Sequence, residues 1–252
     1  MFYPLLAAIT FFTRIPMWKL VELPGDSFRR IIPFWPLTGW ITGATSAFIF
    51  WFAAQVFPVY VAVLLAFSAR IALTGALHED GLGDFFDGFG GGKCKEDILR
   101  IMKDSHTGSY AIIGLILYFL LLTNTVAAMP AHTIPLLIFA ADPFSKMVTA
   151  LFINRLPYSR KEEESKSKTI YDKLNAVQII VTLSGGILPL LLFPTGWQMA
   201  TTALLPIMGA ISVSVYVKRK IGGYTGDICG ATALLCELLF YVGALAFGLP
   251  IK

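Results

Sequence analysis

Apolar runs of about 20 residues recur along this chain, each cut short by a polar or proline-containing break. Seven stretches fit, at roughly 33–57, 59–77, 109–129, 133–153, 176–193, 197–217 and 230–249. About 20 apolar residues is the helix length that crosses a hydrocarbon layer. The first two are parted only around Pro58, which predicts a tight hairpin. Pro130 and Pro135 flank the turn from the third to the fourth, and "FPTGW" (193–197) marks the turn from the fifth to the sixth. The predicted fold class is an all-α polytopic membrane protein of about seven transmembrane helices, with residues 1–252 as one integral membrane domain. The opening "MFYPLLAAITFFTRIP" has no basic residue ahead of its apolar stretch and no clear small-residue cleavage site, so it reads as a retained amphipathic segment.

Composition supports that reading. Charged residues make up 14% of the 252, against roughly 25% in a soluble domain, and the mean hydropathy is +0.70. The net charge of +4 is small, and no basic stripe interleaved with aromatics appears, so nucleic acid is not an expected partner. Cys94, Cys229 and Cys236 form no CxxC pattern and read as free thiols.

Lys and Arg set an orientation. Arg14, Lys19, Arg29 and Arg30 precede the first span, and Lys93, Lys95, Arg100 and Lys103 lie between the second and third. Arg155, Arg160, Lys161, Lys166, Lys168 and Lys173 lie between the fourth and fifth, and Lys218, Arg219 and Lys220 follow the sixth. The opposite turns carry no Lys or Arg until Lys252. The N-terminus and the long loops, 78–108 and 218–229 among them, are therefore expected on the cytoplasmic side. Topology and contact with lipid headgroups account for most of the basic residues from Arg155 to Lys173. Arg155, nearest the fourth span, is the one candidate there for binding an anionic substrate.

The candidate chemistry is concentrated in "HEDGLGDFFDG" (78–88). The loop from His78 to Gly108 holds seven of the sixteen acids. Asp80, Asp84 and Asp87 are spaced i, i+4, i+7, which on a helix places all three on one face. Three like charges on one face need a cation. Mg²⁺ bridging to a phosphorylated substrate suits them, because it takes one or two carboxylates plus phosphate oxygens. Gly81, Gly83 and Gly88 would allow close approach to a ligand. "KEDILRIMKDSHTGSY" follows, with Ile98, Ile101 and Met102 at the spacing of a short interfacial helix. Lys103, Asp104 and His106 lead into the third span, whose first N–H groups would suit a phosphate. "GGYTGDICGA" (222–231) precedes the last span, where Asp227 is either a helix cap or a further ligand. Arg70, Asp142, Lys146 and Glu237 fall within spans and should face inward, with Asp142 and Lys146 paired at i, i+4.

Four stretches in order, "FFTRIP" (11–16), "PFWPLTGWITG" (33–43), "HEDGLGDFFDGFGGG" with "IMKDSHTGSY", and "GGYTGDICGA" with Glu237, resemble the cobalamin synthase family, the adenosylcobinamide-GDP ribazoletransferases. The likeness spans the chain. It departs at Glu79, where many members have an apolar residue, at Gly83, where alanine is common, and at Lys146, in place of an arginine. The resemblance implies a Mg²⁺-dependent transferase of the bacterial inner membrane, acting late in cobalamin biosynthesis. It would join adenosylcobinamide-GDP to α-ribazole or its 5′-phosphate and release GMP. The residues it implies are Asp80, Asp84 and Asp87 for metal and Asp84, His78 and Lys103 for catalysis. Arg14, Asp104, His106, Gly226, Asp227 and Arg155 would bind substrate. Membrane lipids are expected neighbours, and self-association stays open. Two other readings compete. "DFFDG" (84–88) also resembles the start of the CDP-alcohol phosphotransferase motif, without its later Asp pair. The in-span charges would also suit a transporter, though no inverted repeat is visible.

Overall fold

A computed structural model describes residues 2–160, 170–193 and 197–248. Lys161, Lys166, Lys168, Lys252 and the centre of the "FPTGW" turn lie outside the described residues. Among the described residues ten α-helices follow one another: α1 (Phe2–Phe12), α2 (Trp35–Ala53), α3 (Val59–Thr74), α4 (Leu77–Gly91), α5 (Lys95–Ile101), α6 (Ser109–Ala127), α7 (Ile134–Ile153), α8 (Ala176–Ile187), α9 (Trp197–Ile221) and α10 (Gly226–Phe247). Short 3₁₀ turns fill the link from α1 to α2 and extend α8. Among the described residues there is no named strand, only an isolated bridge between Tyr158 and Tyr224.

Each of the seven expected stretches is helical, but they differ in reach. By length and composition α6, α7, α9 and α10 can each cross a membrane, and α3 with α4 makes a fifth only if that bent pair is one span. The others fall short for local reasons. α2 has 19 residues, but threonine, glycine and serine dilute its apolar run. α3 has 16 and stops where Gly75 and Ala76 both turn left-handed (φ 68° and 59°). α8 has 12 and passes into a 3₁₀ turn at Leu188–Leu192, with Pro189 near its start.

Burial sorts the four long helices into two kinds. In α7 and α10, 78% of the apolar window is buried; in α6 and α9 it is 22%. α6 turns Ile112, Ile113, Ile116, Leu117, Leu120 and Leu121 outward, a continuous apolar surface suited to lipid. α7 and α10 form the centre. Helices approach closely where side chains are small. A Cβ on Gly39 of α2 would lie 2.7 Å from the Pro143 backbone of α7, and one on Gly43 would lie 3.1 Å from the Phe139 carbonyl oxygen.

Two buried charge networks lie between these central helices. Arg70 donates to both carboxylate oxygens of Glu237 at 2.5 Å, lies 3.8 Å from Glu79, and stands over the ring of Phe67. The Tyr241 hydroxyl also donates to Glu237, at 2.9 Å. Lys146 pairs with Asp142 at 2.5 Å, and Thr42 bridges the two. The in-span charges thus face inward and find partners.

Candidate active site

The break at Gly75 and Ala76 shapes the site. It bends α4 by 93° away from α3. Ala76 occupies a left-handed conformation that costs a non-glycine residue of order 1 kcal/mol. The stretch from His78 to Gly91, expected to be loop, is instead helical throughout α4. Its glycines serve helix packing more than ligand approach. A Cβ on Gly81 would come within 2.7 Å of the Asp227 carbonyl oxygen of α10, and one on Gly230 within 3.1 Å of His78 Cα. Gly88 is covered by Met102 and by the Ile98 carbonyl oxygen. Close crossing of α4 and α10 at these glycines brings the two glycine-rich motifs together. α5 buries Ile98 and Met102, so it packs into the molecule and does not lie free on a membrane surface.

Helical α4 does gather the acids. Asp80, Asp84 and Asp87 line one cleft of about 410 Å³ together with Glu79, Lys103, Asp104 and His106. Asp80 is exposed and Asp84 half-buried. Asp87, expected beside them as a metal ligand, accepts two backbone hydrogen bonds. The Gly108 N–H donates to its Oδ2 (2.6 Å) and the Ala111 N–H to its Oδ1 (2.9 Å). It therefore caps the N-terminus of α6. Of the first N–H groups of that helix, expected to face a phosphate, that of Ala111 is used by this carboxylate. Asp104 accepts from the His106 backbone N–H (3.0 Å), and its carboxylate lies 2.7 Å from His106 Nδ1. These bonds, the backbone one foremost, hold the Asp104 carboxyl below its usual range.

Among the described residues, no three His, Cys, Asp or Glu side chains converge closely enough to hold a metal unaided. That donor set still fits Mg²⁺, which binds through one or two carboxylates and completes its shell with water and substrate phosphate. It does not fit a closed all-protein cage.

A second cavity, about 280 Å³, adjoins the cleft, and Asp80 lines both. Its character is different. Phe12, Trp35 and His78 lie nearly parallel, with ring centroids 5.0 Å apart for Phe12 and Trp35, 5.8 Å for Trp35 and His78, and 6.2 Å for Phe12 and His78. Tyr158, Tyr171, Arg160, Gly226 and Asp227 complete the wall. His78 lines the aromatic cavity and also a small space beside Arg70, Asp142 and Lys146, while the acidic cleft is lined by its neighbours Glu79 and Asp80.

Arg160 reaches this wall because two segments are stapled together. Tyr224 N–H donates to the Pro157 carbonyl (3.0 Å), and Ser159 N–H to the Tyr224 carbonyl (2.9 Å). Arg160, buried, then lies 3.6 Å from Asp227 and donates to the Leu99 carbonyl (3.1 Å). Of the two roles open to Asp227, capping goes to Thr225, whose hydroxyl accepts from the Ile228 N–H at 3.4 Å. Asp227 lies in the first turn of α10, facing the cavity.

Two candidates stand apart. Arg14 packs against Gly75 at the bend, where its backbone N–H donates to the Leu73 carbonyl (2.7 Å), and it lines neither cavity. Arg155 is exposed beyond the end of α7 and lines neither cavity. Sequence reasoning missed Phe12, Trp35 and Arg160. The first two lie in apolar or signature stretches with nothing to distinguish them from packing residues. Arg160 is one of six basic residues assigned together to topology and headgroups.

Comparison with known proteins finds relatives over nearly the whole chain. The family described as CobS, cobalamin-5-phosphate synthase, matches residues 4–245. A protein of Shewanella sp. (strain W3-18-1) named adenosylcobinamide-GDP ribazoletransferase is 39% identical over 249 residues, covering 96% of this chain and 94% of its own. One of the same name from Shewanella oneidensis is 38% identical over 247 residues, covering 96% and 93%. No solved structure matches. With an all-helical bundle and a family match over nearly its whole length, the chain belongs to the cobalamin-5-phosphate synthase family.

Proposed function

We propose that this protein is a membrane-bound adenosylcobinamide-GDP ribazoletransferase. It joins adenosylcobinamide-GDP to α-ribazole or α-ribazole 5′-phosphate, and releases GMP. The observation that carries the reading is the acidic cleft, where Asp80 and Asp84 lie with Lys103 beside a cavity that shares Asp80. It joins a site for a charged diphosphate to a compartment for an aromatic group. The relatives' shared name supplies the substrates.

In the reaction, the ribazole hydroxyl oxygen forms a bond to the phosphorus that bears cobinamide. The bond from that phosphorus to the bridging oxygen breaks, and GMP leaves with the electron pair. Phosphoryl transfer needs mainly positioning and charge neutralisation. Asp80, at the junction of the compartments, takes the hydroxyl proton. Lys103 offsets charge on the phosphate oxygens. Asp80 and Asp84 are the residues that would hold Mg²⁺, which when bound polarises the phosphoryl group and steadies the leaving phosphate. Asp104, fixed by His106, borders the same cleft. This face lies on the cytoplasmic side of the inner membrane in this reading, which the basic residues near the loops support, with lipid against α6 and α9.

The test is GMP release from adenosylcobinamide-GDP and α-ribazole, or its 5′-phosphate, by purified protein in detergent or liposomes, with and without Mg²⁺. The wild type should release GMP only with Mg²⁺ present, and Asp84→Asn should nearly abolish it. Near-normal release by that variant would overturn the assignment.

A further inference from the structure

The geometry points to the aromatic cavity as the seat of the ribazole base, with His78 as the positioning residue that reads the base's ring nitrogen. This rests on the reaction proposed above and assigns one of its two substrates a place.

The size of the cavity comes first. At about 280 Å³ it lies near the lower end of small-molecule sites, roughly 300–1,000 Å³. That suits one bicyclic base with part of its ribose and excludes a corrin macrocycle. Its wall is the second argument. Phe12, Trp35 and His78, stacked nearly parallel on one another, line it with Tyr158 and Tyr171, an aromatic setting that suits a flat heterocycle. The third is the polar inventory. His78 is 4% exposed, and its Nε2 has no hydrogen-bond partner among the described residues. A buried polar atom left in that state is costly unless a ligand satisfies it.

One donor matches one acceptor. A benzimidazole-type base joined to ribose through one ring nitrogen has a single acceptor left, its other ring nitrogen. Neutral imidazole can donate Nε2–H to it. Guanine presents several donors and acceptors along its edge and would need as many partners. Among the described residues, the wall's buried side-chain atoms without a partner are two, His78 Nε2 and Trp35 Nε1, and Arg160 and Asp227 already face each other at 3.6 Å. The direction of exit also fits. Asp80 lines both compartments, so a base seated in the cavity sends its ribose past Asp80 into the cleft, where the hydroxyl meets the diphosphate.

The test varies the two substrates separately. His78→Phe keeps a ring face and removes the donor, while Trp35→Leu removes stacking surface. Each should raise the KM for α-ribazole about tenfold, the effect of one lost hydrogen bond or stacking partner, and leave the KM for adenosylcobinamide-GDP within about twofold. A rise confined to adenosylcobinamide-GDP would place guanine in the cavity and overturn the proposal. A fall in kcat with both KM values unchanged would make His78 a proton acceptor and also overturn it. Because these variants alter a packed wall, an analogue gives an independent measurement. An indole riboside, with CH in place of the ring nitrogen, should be used about tenfold less well than α-ribazole by the wild type and equally well by His78→Phe. Equal use of both by the wild type would overturn the proposal. Equilibrium dialysis of α-ribazole alone separates the two readings. Binding that weakens in His78→Phe while the wild type releases no GMP would overturn the reaction and keep the site. Normal GMP release with unchanged α-ribazole binding would overturn the site and keep the reaction.

Discussion

The acidic cleft and the aromatic cavity share Asp80 and otherwise have opposite walls. The cleft draws its lining from α4, the start of α6 and the polar link between α5 and α6. The cavity draws on α1, the start of α2, α4, α10 and the segment after α7, and most of its wall is aromatic or aliphatic. One compartment is local in sequence and carries charge; the other is assembled from distant elements and is largely aromatic and apolar. The difference assigns separate tasks. In the proposed reaction, charge neutralisation belongs to the cleft and shape recognition to the cavity, so substitutions in the two should fail in different kinetic constants.

The sharpest break in that comparison is Asp84→Asn. Loss of a carboxylate from the reacting side should cut turnover by about 10²–10⁴-fold, with a smaller change in the KM for α-ribazole. Steady-state GMP release checks it, and a variant that changed only that KM would merge the two compartments. Next is Arg70→Leu, which strands Glu237 within the bundle beneath both. Removing one partner of a buried pair should cost about 3–5 kcal/mol, read as a lower thermal unfolding midpoint in detergent. Both compartments should weaken together, since Arg70 also faces Glu79. Smaller again is Asp87→Ala. Loss of the cap on α6 should cost about 1–2 kcal/mol, and turnover should suffer far less than in Asp84→Asn. Turnover abolished at unchanged stability would return Asp87 to the metal ligands.

The smallest effect concerns pH. Asp104 has a depressed folded-state pKa, so the stability it adds is present above its unfolded pKa and is lost as pH falls through the folded value. His106→Ala should move the Asp104 titration up toward the ordinary carboxylate range. A carboxyl-carbon NMR titration of the labelled protein checks this, and an unmoved titration would remove His106 as the cause.

These contrasts also explain what was legible in the sequence. Long apolar runs mark helices wherever they occur, so all seven stretches are helical. Hydropathy alone does not separate α6 from α7, because an apolar side chain reads the same against lipid as against another helix. The acids were legible through their spacing on α4. The helix itself was not, because a run with five glycines and four acids looks like loop until α10 packs against it. Asp87 shows the limit of periodicity. Spacing puts it on the same face as Asp80 and Asp84, but only the approach of α6 decides that its oxygens cap a helix. The cavity was least legible, since Phe12, Trp35, His78 and Arg160 converge from four separate regions of the chain.

The bend at Gly75 and Ala76 bears on depth. Sixteen residues of α3 rise about 24 Å, less than the roughly 30 Å hydrocarbon layer. Standing upright from one interface, α3 would hand over to α4 several ångströms short of the other. The right-angle turn would then lay the carboxylates along a recess sunk into the bilayer surface. Groups bound there would react below the level of the surrounding headgroups, shielded from bulk water.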